Sequence, residues 1–505
     1  MRAACTDVSV EPVVRRSFLL PIVTLYLLYV LGMPTLVVLF LAAWYAALIY
    51  SEDMGYLDRL NATRVLGIIL MLRTNRGKRA LNFISKRRGF WRKFGEFSIW
   101  LCFIVMLLVV LLLFASAIQT AISPSDDYIP ARDLVFIPGV TSFIPFWWPA
   151  LALIVTLVIH EYSHGIQARA HGMNLRSFGL LMVGPIPIGA FAEPEEEEMS
   201  RAPRRERMRL FAAGPSINIL ATYLVLILLS SVSSGLVAQN EGIHARAIIE
   251  GSAAEEYGLM PYETITHING MPTGEYSQFS DVMDTLSSGE VAVFTVLSSP
   301  SPDIPERAQR DIDITLDDRY EYLYELCEGD LGCIENSGGA EQGEAFLGVY
   351  GAVSATAAAD GYSYIVDGEY PIGLTSVLAV FQPLVMLQTP ISLDGQTMIL
   401  EEREMLEAGT GLVGSVLGTD GMLMLFDFLF WLVWVNFLLG FANLIPMVPF
   451  DGGHMVRDAV HSTLKFIQRG AHPLKIESLA NRISSISSFF ILFILAIPVI
   501  IPRLL

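Results

Sequence analysis

Apolar residues along this chain come in long blocks. Residues 18–50 form a run broken only by Pro21, Gly32 and Pro34, and further runs cover 97–120, 146–170, 210–232, 421–442 and 483–501. Each is close to or above the ~20 residues that cross the hydrocarbon core of a bilayer. The pattern therefore predicts about six transmembrane helices. The first run is too long for the apolar core of a signal peptide and is expected to stay as an anchor, one tilted helix rather than two short ones. A further run, 371–390, is apolar but carries Pro371, Pro383 and Pro390. Between 243 and 317 the period changes to two: Ala245–Ile249, Thr264–Ile268, Val291–Leu297 and Ile312–Leu316 read as short strands.

Charge adds compartments to this pattern. Of 505 residues, 53% are hydrophobic and 17% charged, against about 25% charged for an ordinary soluble domain. The formal net charge of −18 conceals a division: residues 238–420 hold 31 Asp and Glu against 5 Lys and Arg, and the rest of the chain holds 20 acidic and 28 basic residues. Basic residues cluster in 51–96 (among them Arg73, Lys78, Arg79, Lys86, Arg87, Arg88) and in 171–209 (Arg201, Arg204, Arg205, Arg207, Arg209). Loops rich in Lys and Arg stay cytoplasmic, so both are expected inside. The loop 121–145, with Asp126 and Asp127, and the acidic insert are expected outside. A basic patch of the kind that binds nucleic acid is not part of this pattern, and no nucleic-acid partner is expected. Cys102 falls in an apolar run and reads as core. Cys327 and Cys333 lie close together in the acidic insert, where an oxidising exterior permits a disulfide.

One apolar run contains chemistry. In PALALIVTLVIHEYSHGIQARAHG, Pro149–Gly172, the hydrocarbon pattern continues straight into His160, Glu161 and His164. Ionisable groups at membrane depth are costly and mark function. Histidines four apart share one helix face and can grip one Zn2+ with nitrogens ~2.0–2.1 Å from it. Glu161, beside the first, is placed to take a proton from a water on such an ion. A polar cluster that packs helices or lines a water path would use the same residues. The reading therefore turns on a third ligand, because catalytic zinc takes three protein ligands and keeps one position open. His171 does not serve: seven residues at ~1.5 Å rise put it ~10 Å along the axis from His164. The better candidate lies in NLIPMVPFDGGH, Asn443–His454. Pro446 and Pro449 prevent regular helix, and Gly452 and Gly453 admit backbone closed to other residues. Irregular backbone at membrane depth is tolerated only where buried in protein or lining a cavity. Asp451, delivered on it, is the candidate third ligand. The run Glu195–Glu198 reads as a solvated face.

Together these motifs resemble the site-2 proteases, intramembrane zinc metalloproteases whose pattern is HExxH in one membrane helix and N-P-x-P-x-x-x-L-D-G at the end of a later one. Asn443, Pro446, Asp451 and Gly452 stand in register with it, while Leu444 replaces its first proline and Phe450 its leucine. Ala213–Asn218, AGPSIN, resembles the family's GPxxN helix start, and Gly184–Pro194, GPIPIGAFAEP, resembles its membrane-associated hairpin. The insert resembles a PDZ domain in Gly251-Ser252-Ala253-Ala254, Gly258-Leu259 and Ile268-Asn269-Gly270.

The resemblance covers roughly 146–320 and 421–460, and with the apolar pattern and the charge it implies a polytopic α-helical membrane protein of about six transmembrane helices with an inserted α+β PDZ-like domain. Residues 1–145 would form N-terminal anchor helices and a basic loop, 146–232 the first part of the protease core, 240–320 the PDZ-like domain, 321–420 an acidic exoplasmic or interfacial segment, and 421–505 the rest of the core. It implies Zn2+ on His160, His164 and Asp451, with Glu161 as catalytic base. Asn218 and Asn443 would hold the substrate backbone or the oxyanion, or else satisfy helix ends. The implied substrates are transmembrane proteins of the cell membrane, cut within or near their spans. The PDZ-like domain would take an extended peptide or chain end. Two other classes fit the bulk pattern. A non-catalytic metal-binding scaffold with a peptide-binding PDZ domain would have no use for Glu161. An ion transporter predicts inverted repeats, which the sequence does not display.

Ligand geometry also constrains topology. If 146–170 runs inward, His160 and His164 lie toward its cytoplasmic end. Asp451 reaches them only if 421–442 also runs inward. With 210–232 running outward and the insert outside, that requires 371–390 not to cross, so this run is expected to be interfacial or re-entrant.

Overall fold

The computed structural model describes residues 22–23, 25–26, 29, 35–65, 67–74, 78–123, 130, 133, 136–184, 186–301, 307–368 and 370–504. Its apolar runs are helical, since a helix satisfies its own backbone where water is absent. In chain order the main helices are α1 Thr35–Asp53, α2 Arg88–Ile122, α3 Trp147–Ala170, α4 Arg204–Ser233, α5 Ala357–Asp367, α6 Ile372–Ser392, α7 Leu412–Asn443, α8 Asp451–Ile467 and α9 Pro473–Leu504. Among the described residues seven helices, all of these except α5 and α8, are long and apolar enough to cross a membrane. The seventh beyond the expected six is α6. Most of 18–34 in the first predicted anchor, with Asp126 and Asp127 of the predicted outer loop, lies outside the described residues. Large apolar side chains stay exposed on α2 (Trp100, Ile104, Leu107, Leu111) and on α9 (Ile486, Phe489, Phe493), which suits helices solvated by lipid.

The chain divides into two compact units, 1–218 with 439–505, and 219–438. In the first, polar side chains tie helices to one another. Ser163 Oγ donates to the Ala213 carbonyl at 2.9 Å, Ser216 Oγ to Ser98 Oγ at 2.8 Å, and Gln167 Nε2 to the Trp91 carbonyl at 2.7 Å. Such bonds join α2, α3 and α4 where the hydrophobic effect between helices is weak. α3 ends where Gly172 adopts φ +88° and the Met173 N–H reaches back to the Ala168 carbonyl at 2.9 Å, a glycine-dependent helix stop. The chain then enters strand pairing. Strands β1 Ala62–Val65, β2 Ile69–Thr74, β3 Leu175–Val183 and β4 Ile186–Pro194 form an antiparallel sheet in that order, with β4 at one edge. Sequence pattern predicts only a basic loop for 51–96; β1 and β2 instead extend the β3–β4 hairpin, pairing Leu72 with Leu180 and Thr74 with Phe178. That pairing partner lies a hundred residues away and leaves no local signature.

In the second unit, strands β5 Ile243–Ile248, β6 Thr264–Ile268, β7 Val291–Leu297, β8 Gln309–Thr315 and β9 Val349–Ser354 form an antiparallel sheet in the order β8-β7-β6-β5-β9. Ile243, Ile265, Ile268, Phe294 and Ile314 are buried in its core. Asn269 (φ 50°) and Gly270 (φ 77°) turn β6 back onto Met271–Pro272, as the Asn-Gly pair predicts. The sheet reaches beyond residue 320: its edge strand β9 comes from the segment assigned to 321–420. Two short helices, Arg319–Leu326 and Leu331–Asn336, intervene, closed by the Cys327–Cys333 disulfide.

α5 and α6 leave this sheet, and the chain after them is fastened beside it. Before α5, Ser354 pairs with Ile243 and the Ala355 N–H donates to the Gly242 carbonyl at 3.0 Å. After α6, residues 406–408 pair with 236–238, and Glu402 accepts from Arg246 Nε at 2.6 Å and Nη2 at 3.1 Å. His244 Nε2 lies 3.3 Å from the same carboxylate. Burial alone would raise the Glu402 carboxyl, but His244 and Arg246 outweigh it and hold it below the usual carboxylate range. A carboxyl lowered in the folded state stabilises above its unfolded value, ~4.3, and loses that contribution as pH falls through the folded value. Glu402→Gln is expected to cost about 2 kcal/mol at neutral pH and to flatten the acid side of the unfolding profile, as read from thermal unfolding of the detergent-purified full chain between pH 3 and 7.

Candidate metal centre

Three segments of the first unit meet at one point. α3 supplies His160 and His164, and both side chains are buried. α4 supplies Gly214 and Asn218. The turn after α7 supplies Asp451 as the first residue of α8. His160 Nε2 and His164 Nε2 are 3.1 Å apart, and Asp451 Oδ2 is 3.3 Å from each. Ligand atoms placed tetrahedrally ~2.0–2.1 Å from one ion stand ~3.3–3.4 Å from one another. The three atoms thus already lie close to one face of a zinc tetrahedron.

Hydrogen bonding behind the rings sets their tautomers. His164 Nδ1 is 2.7 Å from the Leu210 carbonyl. A carbonyl only accepts, so Nδ1 carries the hydrogen and Nε2 presents a lone pair. His160 Nδ1 is 3.0 Å from Asn218 Nδ2; the two ends of an amide exchange by a half-turn, and with Oδ1 in that place the amide accepts the Nδ1 hydrogen. This leaves His160 Nε2 a lone pair as well. Two imidazole lone pairs and a carboxylate oxygen facing one another in a buried space repel unless a cation lies among them. The residues present therefore fit Zn2+. Orienting bonds behind metal-binding histidines are the usual support of such sites.

Glycines make the space. A Cβ on Gly214 would lie 2.3 Å from His164 Nε2 and 2.6 Å from His160 Nε2, so any other residue would fill the position the ion needs. A Cβ on Gly452 would lie 2.7 Å from the Leu444 carbonyl oxygen, and one on Gly453 would lie 2.4 Å from the Met447 carbonyl carbon. These two allow α8 to start hard against the preceding turn. Asp451 also opens that helix, where a negative charge suits the positive end of the helix dipole.

Glu161 shares the cluster: it and the two histidines offer ligand atoms within 4.8 Å of one another. Its Oε2 accepts the Ala192 N–H of β4 at 2.7 Å, which aims the carboxylate along the edge strand. Asn443 turns its amide to the Leu439 carbonyl of its own helix at 3.1 Å. His171 is the capping residue after α3 and faces Glu206, 3.5 Å away. Sequence reasoning passed over Gly214, the Leu210 carbonyl and the Ala192 N–H. The first had a signal, the glycine of AGPSIN; the other two are main-chain groups and have none.

Comparison with known proteins agrees with this geometry. The profile of peptidase family M50 matches residues 148–491. An uncharacterised protein of Methanocaldococcus jannaschii is 29% identical over 230 residues, which cover 45% of this chain and 60% of that protein. Zinc metalloprotease Rip1 of Mycobacterium tuberculosis is 26% identical over 421 residues, 72% of this chain and 95% of that protein. The protein of the same name from Mycolicibacterium smegmatis is 25% identical over 354 residues, 61% of this chain and 83% of its own length. The chain belongs to peptidase family M50, the site-2 protease family, and is a multi-pass membrane metalloprotease with Zn2+ as its cofactor.

Proposed function

We propose that this protein is an intramembrane endopeptidase that cuts substrate proteins within or near their transmembrane segments, with His160, His164 and Asp451 holding the zinc and Glu161 as the general base. The observation that carries this reading is the triangle of Nε2, Nε2 and Oδ2 atoms at 3.1–3.3 Å on buried segments. Zn2+ bound there supplies Lewis acidity toward the scissile carbonyl and the attacking water. Glu161 takes the proton from that water and returns it to the leaving amine. Leu210 and Asn218 keep the two rings turned so that their Nε2 atoms face the centre. A substrate helix hides its carbonyls in its own hydrogen bonds, so the segment to be cut must be extended. The edge of β4 beside Glu161 offers a strand for it to pair with.

The second unit supports a role in substrate selection. Between the helix Tyr276–Met283 and the edge strand β9 lies a groove of about 620 Å3, lined by Phe279, Met283, Leu347 and Ala352 among others. An extended peptide added to β9 would lay side chains into it, the binding mode of a PDZ-like domain. We place this unit outside the cell and the zinc centre toward the cytoplasm. The flanks of α5–α6 are fastened to neighbouring segments, β5 on one side and residues 236–238 with Arg246 of β5 on the other, which favours α6 entering and leaving the membrane on one side, although its length would let it cross.

Two measurements test this reading. Glu161→Gln should bind zinc like the wild type and cleave single-span substrates at least ~100-fold more slowly, within the usual worth of a general base. Equal cleavage by both proteins would refute the protease reading. Zinc binding with no cleavage by the wild type would leave a scaffold. A reporter fused after residue 392 should read exoplasmic, and a cytoplasmic signal would overturn the topology.

A further inference from the structure

α8 lies antiparallel along the start of α4, and its contacts step in register. At one end, Asp451 and Gly214 both face the histidine Nε2 atoms. One turn on, the His454 ring stacks on Phe211, with centroids 4.7 Å apart and 13° between planes. At the far end, Asp458 accepts from Arg204 Nη1 at 2.7 Å and from Arg207 Nε at 2.9 Å, with Arg207 Nη2 also bonded to it. Asp458 is fully buried and is the one charged residue among the buried positions of α8. Arg204 also pairs with Glu477 of α9, and His461, one turn past Asp458, lies 3.5 Å from the same Glu477.

We infer that Asp458 is a positioning residue for the metal centre: held by the Arg204 and Arg207 guanidinium groups, it fixes the register of α8 on α4 and thereby the place of Asp451. The inference rests on Asp451 being a zinc ligand. Asp451 and Asp458 are seven residues apart, two helical turns on one face. The turn 444–450 that precedes α8 is not a regular element and cannot set the register alone. Packing of Gly452, Gly453 and Met455 resists separation of the helices, but small and unbranched side chains resist sliding weakly. A buried carboxylate gripped by two forks does resist it. A slip by one turn would carry the bonds away by ~5.4 Å and leave Asp458 buried without its partners, a costly state. The fork geometry also explains arginine at both positions, because lysine would offer a point charge without planar, two-point grip.

The test uses the full chain in detergent, loaded with Zn2+ or Co2+, as wild type, Asp458→Asn, Arg207→Lys and Asp451→Asn. Metal affinity is read by chelator competition and ligand geometry by the cobalt absorption spectrum. Thermal unfolding of the metal-free forms checks integrity. Asp458→Asn should weaken zinc about tenfold, the loss typical for groups that orient a ligand, and shift the cobalt spectrum toward that of Asp451→Asn. Arg207→Lys should show the same changes in smaller measure, and it carries the test if Asp458→Asn does not fold. Wild-type affinity and spectrum in a folded Asp458→Asn, or failing that in Arg207→Lys, would overturn the inference. Wild-type affinity and spectrum in Asp451→Asn would instead overturn the ligand assignment on which it rests.

Discussion

Two imidazole lone pairs and a carboxylate oxygen at 3.1–3.3 Å, largely shielded from water, form an arrangement that is unfavourable without a cation. Much of the first unit can be understood as what holds them there. Leu210 and Asn218 fix which ring nitrogens face inward. Gly214 leaves the centre open, and Gly452 with Gly453 lets α8, which opens with Asp451, start hard against the preceding turn. In a membrane, buried polar groups keep partners because no water substitutes for them, and the bonds among Ser98, Ser163, Gln167 and Ser216 show this between α2, α3 and α4.

The sheet serves the same centre from another direction. Gly172 ends α3 one residue after His171, and the chain turns at once into β3 and β4. That short connection brings the Ala192 N–H against Glu161. The proposed general base and the strand edge proposed to take an extended substrate are therefore joined by a main-chain contact. β1 and β2 widen the sheet on the side away from β4, and among the described residues no strand pairs with the β4 edge.

Much of this was legible in the sequence, and the reasons are local. The apolar blocks carry their own length, His160 and His164 carry helical spacing, and Pro446 and Pro449 announce irregular backbone before Asp451; Gly452 and Gly453, expected to serve that irregular backbone, lie in α8 instead and serve its close packing against the turn. The alternating stretches from 245 to 316 correspond to strands β5–β8 within a few residues. What was not legible depends on distant partners. β1 and β2 look like part of a basic loop until Leu72 meets Leu180. β9 lies past a disulfide-closed insertion, so no nearby pattern assigns it to the sheet. Asp458 carries no signal in the sequence; its burial against Arg204 and Arg207, about 250 residues earlier, distinguishes it. Arg204 and Arg207 in turn read as cytoplasmic loop charges rather than as a grip on a buried carboxylate.

The central claim is that the zinc sits on two histidine nitrogens and one carboxylate oxygen. Zinc-edge X-ray absorption of the purified, zinc-loaded protein tests it most directly. The account predicts a first shell of nitrogen and oxygen alone at ~2.0–2.1 Å, with outer-shell scattering from two imidazole rings. A sulfur shell at ~2.3 Å, or the absence of imidazole scattering, would contradict it.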